Sequence, residues 1–169
     1  ATNSNQQIKG LKPEESHLPV VSELLSILKG TKGLITHADL MLRDLNPKDA
    51  KQLTPDLLIT WGAGVISKPL KQFLRHHQPK EHWHFQEAGT AADTFMQLTE
   101  IVRVNPGQLP TLLQGFKASP SQKAYYATWQ SLEAIASRAK KIWLTDHQGE
   151  AGLVAALLKQ LPSDCTLHL

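Results

Sequence analysis

Residues 56–69, DLLITWGAGVISKP, constrain the fold more than any other stretch of this chain. Leu57, Leu58, Ile59 and Trp61 form a short apolar run with only Thr60 between them. Such a run, bounded by Pro55 and Gly62, fits a parallel strand covered on both faces. Gly62 and Gly64 let the backbone turn tightly. Ser67 suits a helix N-cap, and Pro69 is tolerated in a first helical turn, where its missing N–H is not needed. In open α/β sheets, ligands gather at this kind of strand end. Lys68 sits at that edge.

The rest of the chain repeats the alternation. Residues 1–17 are polar and read as a loose lead-in, with at most a short helix at 13–16. A strand is expected at 18–21, a short helix at 23–29, and a very short strand or loop at 34–36. Residues 38–44 read as a turn or two of helix. Asn46 and Pro47, as N-cap and first helical residue, start a helix that runs to Leu53. Residues 68–77 are amphipathic, with Leu70, Phe73 and Leu74 on one face. Residues 81–86 alternate, which puts His82 and His84 on one face and Trp83 and Phe85 on the other. A strand at 98–104 and a helix at 108–116 follow. This order predicts an α/β, Rossmann-like fold, a mostly parallel sheet with helices on both faces.

Composition changes at residues 117–122. From Pro120 to Asp146 runs a long helical pattern with Tyr125, Trp129, Leu132, Ile135 and Trp143 as its apolar contacts. After a break at 147–149 come an apolar helix at 152–161, a turn at 162–164 and a strand at 165–169. Four regions result: a flexible lead-in (1–17), a central domain (18–117), a linker helix (118–148) and the opening of a further α/β unit (149–169).

Bulk properties narrow the partners. With 169 residues, 41% apolar and 20% charged, the chain has the balance of an ordinary soluble domain able to bury a core. Its apolar runs are too short to cross a bilayer, so no membrane span is expected. It opens on Ala1 without a charged and apolar leader, and is expected to be cut from something longer. The net charge of +3 is spread over 18 Lys and Arg, of which only Lys140 and Lys141 are adjacent, so a nucleic-acid partner is not expected. Cys165 is the single cysteine, which excludes an internal disulfide and agrees with a cytoplasmic protein.

Several constellations invite chemistry. Residues 62–67, GAGVIS, nearly spell the dinucleotide fingerprint, and Glu87 lies where a ribose-binding acid would sit. The third glycine is Ser67, where close helix–strand packing wants no side chain; an FAD- or NAD-binding module stays as an alternative. His76, His77, His82 and His84 lie within a short span. No carboxylate or thiol spacing accompanies them, so surface histidines around a loop are expected rather than a metal site. His37 and Asp39 could be a base with its orienting acid, but a polar turn or a cap by Asp39 fits adjacent positions better. The stripe Tyr125, Trp129, Leu132 and Ile135 reads as packing between the linker helix and the domain. A non-catalytic interaction domain that docks through the Trp129 helix is a further alternative.

The segments LPVVSELLSILKG, HADLMLRD, PDLLITWGAGVISKPLKQFL and EHWHFQEAG, in this order, resemble the central domain of the 2-succinyl-5-enolpyruvyl-6-hydroxy-3-cyclohexene-1-carboxylate synthase (MenD) family. The tail GEAGLVAALLKQLPSDCTLHL resembles the start of that family's diphosphate-binding domain. The resemblance implies a parent transferase of menaquinone biosynthesis that uses thiamine diphosphate and Mg2+, decarboxylates 2-oxoglutarate and adds the resulting carbanion to isochorismate. It implies that the parent is a homo-oligomer and that its cofactor lies between two domains this chain does not contain in full. No catalytic, cofactor-binding or metal residue is then expected here, and the isolated chain is expected to be inactive. The resemblance carries over Lys68, with Ser67 beside it, as substrate-binding residues. The arginine that follows this lysine in related members is replaced by Pro69.

Overall fold

A computed structural model describes residues 10–23, 28, 31–62, 64–146, 149–162 and 165. The chain forms two units, Ala1–Glu133 and Ala134–Leu169. The first begins with α1 (Pro13–Ser16), β1 (Val20–Val21), β2 (Leu34–Ile35), α2 (Ala38–Leu42) and α3 (Pro47–Leu53). It continues with β3 (Leu57–Trp61), α4 (Lys68–His76), β4 (Glu81–Phe85), β5 (Glu100–Val102), a 3-10 turn (Pro106–Gln108) and α5 (Leu109–Leu112). It closes with the first half of α6 (Pro120–Asp146); the second unit holds the rest of α6 and α7 (Glu150–Gln160).

Every strand pair is parallel, as the alternation of elements requires. β1 pairs with β2, and β4 lies between β3 and β5. The two ladders share one core. Ile59, Trp61, Trp83 and Phe85, on one face of β3 and β4, pack with Leu11, Val20, Leu34 and Leu109. Local signals set the helix starts. The Asn46 side chain accepts from Asp49 N (2.9 Å) with Pro47 next to it, and Ser67 caps α4 in the same way. On α4, Leu70, Phe73 and Leu74 are buried on one face. Burying each such side chain is worth about 1.5–3 kcal/mol.

β3 differs from its expected setting. Its first residue, Leu57, is 40% exposed and the other four are half-buried rather than covered on both faces. The reason is position: among the described residues β3 is the outer strand of its three-stranded sheet, with β4 alone beside it. β1 and β5 are shorter than expected. β5 stops at Val102 because Val104 N turns back to Val102 O (3.0 Å). α5 is shorter too, closed by a turn in which Phe116 N donates to Leu113 O (3.1 Å) with Gly115 at φ +80°. The helix expected at 23–29, the turn at 162–164 and the strand at 165–169 lie largely outside the described residues.

The long helix is present, but its apolar stripe divides. In the first unit Trp129 is 4% exposed and stacks edge-on against Tyr125, whose hydroxyl donates to Leu53 O (2.9 Å). Trp129 is therefore core and is not itself open to a partner. In the second unit Ile135 is 61% exposed and Trp143 is exposed as well, so neither is buried as Trp129 is. α7 leaves Leu153, Val154, Leu157 and Leu158 exposed and buries no residue. Few buried contacts mean cheap local opening. Amide exchange over 150–160 is expected to run about 100-fold faster than over 82–85, read by mass spectrometry; equal protection would contradict it. Among the described residues no helix is long and apolar enough to cross a membrane.

Candidate functional site

The turn that leaves the C-terminal end of β3 is held by side chains from distant parts of the chain. Gly62 takes φ +78°, a conformation that favours glycine, whereas Gly64 shows no such backbone. The Ile66 N–H donates to Glu23 Oε2 (2.7 Å) and the Ser67 N–H to Glu23 Oε1 (3.0 Å). The Ser67 hydroxyl accepts from Leu70 N (3.1 Å), as an N-cap should, and donates to Asp39 Oδ1. Asp39 thus serves Ser67 and not the neighbouring His37. The next residue, Lys68, is exposed and its side chain makes no hydrogen bond or ion pair with the described residues.

Two carboxylate oxygens on consecutive amides leave little for another anion. A pyrophosphate at this turn would have to displace Glu23 from the Ile66 and Ser67 amides. Among the described residues no group of three His, Cys, Asp or Glu side chains suits a metal ion. The residues of this turn do not fit a diphosphate with its cation. What they offer is a lysine ammonium on a fixed backbone.

His37 finds its acid on α6. His37 Nδ1 lies 2.7 Å from Glu133 Oε1, and His37 N and Thr36 Oγ1 also donate to that carboxylate, at 3.0 and 2.7 Å. Burial works to raise the Glu133 pKa, but the bonds from Thr36 and His37 outweigh it and hold the carboxyl below its ordinary range. The Thr36 hydroxyl, also 3.1 Å from His37 Nδ1, is spent on the Glu133 carboxylate, and the group ties α6 to the β2–α2 junction.

Of the four histidines expected at the surface around a loop, His76 is exposed at the end of α4, whereas His82 and His84 lie on β4, buried and half-buried. His82 is 2% exposed, and Thr60 Oγ1 sits 2.8 Å from His82 Nε2 and 2.9 Å from His84 Nδ1. The parallel register explains the meeting: Thr60 lies opposite His84, with His82 two residues earlier on the same face. His82 Nδ1 is buried without a hydrogen-bond partner among the described residues, and its ring packs edge-on against Phe95. A bare lone pair is tolerated there better than an unpaired N–H. The resulting chain runs from His82 Nε2–H to Thr60, and from the Thr60 O–H to His84 Nδ1.

Burial holds both histidines below their ordinary pKa; Asp93 opposes this at His82, and the Gln86 side chain opposes it at His84. A lowered folded pKa means that the unfolded chain binds protons first. This stability is complete above the unfolded value of about 6.5 and is lost as pH falls from there toward the folded values. The melting midpoint is expected to drop between pH 7 and 5, and to drop less in a His82→Leu/His84→Gln variant. Equal slopes for the two proteins would refute the assignment.

Sequence reasoning placed Ser67 and Lys68 correctly at the start of α4 but missed Glu23, Glu133 and Thr60. Their partners lie 43, 96 and 22 residues away, and no local spacing marks such pairs. Residues 10–169 match the family described as the middle domain of thiamine pyrophosphate. The chain is similar to 2-succinyl-5-enolpyruvyl-6-hydroxy-3-cyclohexene-1-carboxylate synthases. It is 28% identical over 162 residues to that of Phocaeicola vulgatus, covering 95% of this chain and 28% of the relative. To that of Bacteroides thetaiotaomicron it is 32% identical over 136 residues, covering 80% and 23%. To that of Flavobacterium psychrophilum it is 39% identical over 74 residues, covering 44% and 13%. The chain spans about a quarter of the length of the first two relatives. With its parallel strands, its α/β order and a match that runs almost end to end, this chain belongs to the family of thiamine pyrophosphate middle domains.

Proposed function

We propose that this chain is the middle part of a thiamine-diphosphate-dependent synthase of menaquinone biosynthesis. The parent decarboxylates 2-oxoglutarate and adds the resulting succinic semialdehyde carbanion to isochorismate. The observation that carries this reading is similarity over 95% of the chain to a synthase named for the product of that reaction. Thiamine diphosphate supplies the carbanion chemistry and is held, with Mg2+, by other domains of the parent. This part acts as a scaffold between them, and Lys68, with Ser67 beside it, stands at the rim of the substrate pocket.

A dicarboxylate donor and an anionic acceptor give a positive rim its use. A compact, mobile ammonium meets a carboxylate as a point charge and brings it into register for reaction. Glu23 and Asp39 both bond to Ser67, the residue before this lysine. The test is an assay of the full-length protein with 2-oxoglutarate, isochorismate, thiamine diphosphate and Mg2+. Cofactor-dependent loss of both substrates is expected, with none from residues 1–169 alone. No turnover by a folded full-length protein, or turnover by the isolated chain, would overturn the reading.

A further inference from the structure

We infer that Glu23 and Asp39 are positioning residues for Lys68, fixing the turn between β3 and α4 so that the backbone from which the ammonium reaches out stands in one place. The inference rests on the reading that Lys68 meets a substrate carboxylate, and it names what makes that contact possible.

Ser67 carries the argument. Each of its hydrogen-bonding groups is in use. Its N–H goes to Glu23 Oε1 (3.0 Å) and its hydroxyl proton to Asp39 Oδ1. Its hydroxyl oxygen accepts from Leu70 N (3.1 Å) and its carbonyl from Lys71 N (3.1 Å). Glu23 also takes the N–H of Ile66 (2.7 Å), so one carboxylate spans two consecutive peptide units. Charge-assisted bonds of this kind are about twice as strong as neutral ones. Pro69, on the other side of Lys68, fixes its own φ. The backbone that carries Lys68 is therefore pinned on both sides, while its side chain stays exposed.

The same contacts decide where an anion goes. A helix N-terminus attracts negative charge through its unpaired N–H groups. Here Glu23 lies on the amides of the residues just ahead of α4, which directs an incoming carboxylate to the Lys68 ammonium instead. Neither Glu23 nor Asp39 has to touch the substrate to do this. Both act through the turn.

Steady-state kinetics and melting of the full-length protein separate the possibilities. Glu23→Gln has a single acceptor oxygen for two N–H groups. It is expected to raise the KM of one anionic substrate about three- to tenfold while kcat stays within about twofold. Asp39→Ala is expected to behave alike. Asp39→Asn keeps the acceptor oxygen for Ser67 and should stay within about twofold of wild type. In a Lys68→Ala background, Glu23→Gln should add less than about twofold, because both changes act on one contact. An unchanged KM in folded Glu23→Gln, with Lys68→Ala impaired, would overturn the positioning role and leave the Lys68 reading standing. A lowered KM would make Glu23 a competitor for the anion and overturn it as well. Wild-type kinetics in Lys68→Ala would remove the Lys68 reading itself, and the inference with it.

Discussion

Replacing Lys68 with alanine in the full-length protein is expected to lower kcat/KM for one anionic substrate by about 10- to 100-fold, the size of a lost charge-assisted contact. The motive is placement. Lys68 is the first residue of α4, follows a turn at the C-terminal end of β3, and its side chain makes no polar contact with the described residues. An exposed lysine without such a partner contributes little to folding, so the melting of the variant should stay within about 0.5 kcal/mol of wild type. The two readings together discriminate. A lysine whose stem merely covers the first helical turn would leave the kinetics of both substrates unchanged. Lys68→Arg should recover part of the loss, because the charge returns with a different shape. Wild-type kinetics in Lys68→Ala would leave this domain a scaffold without a residue in the site.

The largest loss of stability is expected from Gly33→Ala. Gly33 adopts φ +77°, and a Cβ built there would lie 2.6 Å from the Tyr126 hydroxyl and 2.7 Å from Glu14 Cγ. Left-handed backbone costs an L-residue about 1–2 kcal/mol, and forcing extra volume into a packed site adds about 1–3 kcal/mol. The Glu14 backbone N, 3.3 Å away, is a third neighbour and cannot swing aside as a side chain can. Gly33 is also bonded in place, since Gln130 Nε2 donates to its carbonyl at 2.7 Å. A total of about 2–5 kcal/mol lowers the melting midpoint by about 4–20 °C for a chain of this size. A companion Gly10→Ala change shares the positive φ but meets nothing within 4 Å. It should cost only the backbone share. Equal costs at the two positions would refute the close-approach argument.

The contrast between α3 and β3 shows what was legible before any coordinates. α3 begins where Asn46 and Pro47 said it would, because a cap is a contact between a side chain and an amide three residues on. The start of α4 at Ser67, the buried face of that helix and the split of β4 into a histidine face and a Trp83–Phe85 face were readable for the same reason. Each rests on a period or on a bond within one turn. β3 was readable as a strand but not as an outer one, since its burial depends on which strands lie beside it.

The sequence by itself determined the element types, the parallel α/β order, the helix starts and the family, all of which rest on local pattern. Tertiary structure alone decided that Asp39 serves Ser67, that the acid for His37 is Glu133, and that Glu23 spans the amides ahead of Lys68. It also decided that His82 is buried behind Thr60. The physical reason is distance along the chain. A bond between residues 22 to 96 positions apart exists only once strand register and helix packing have brought its two ends together.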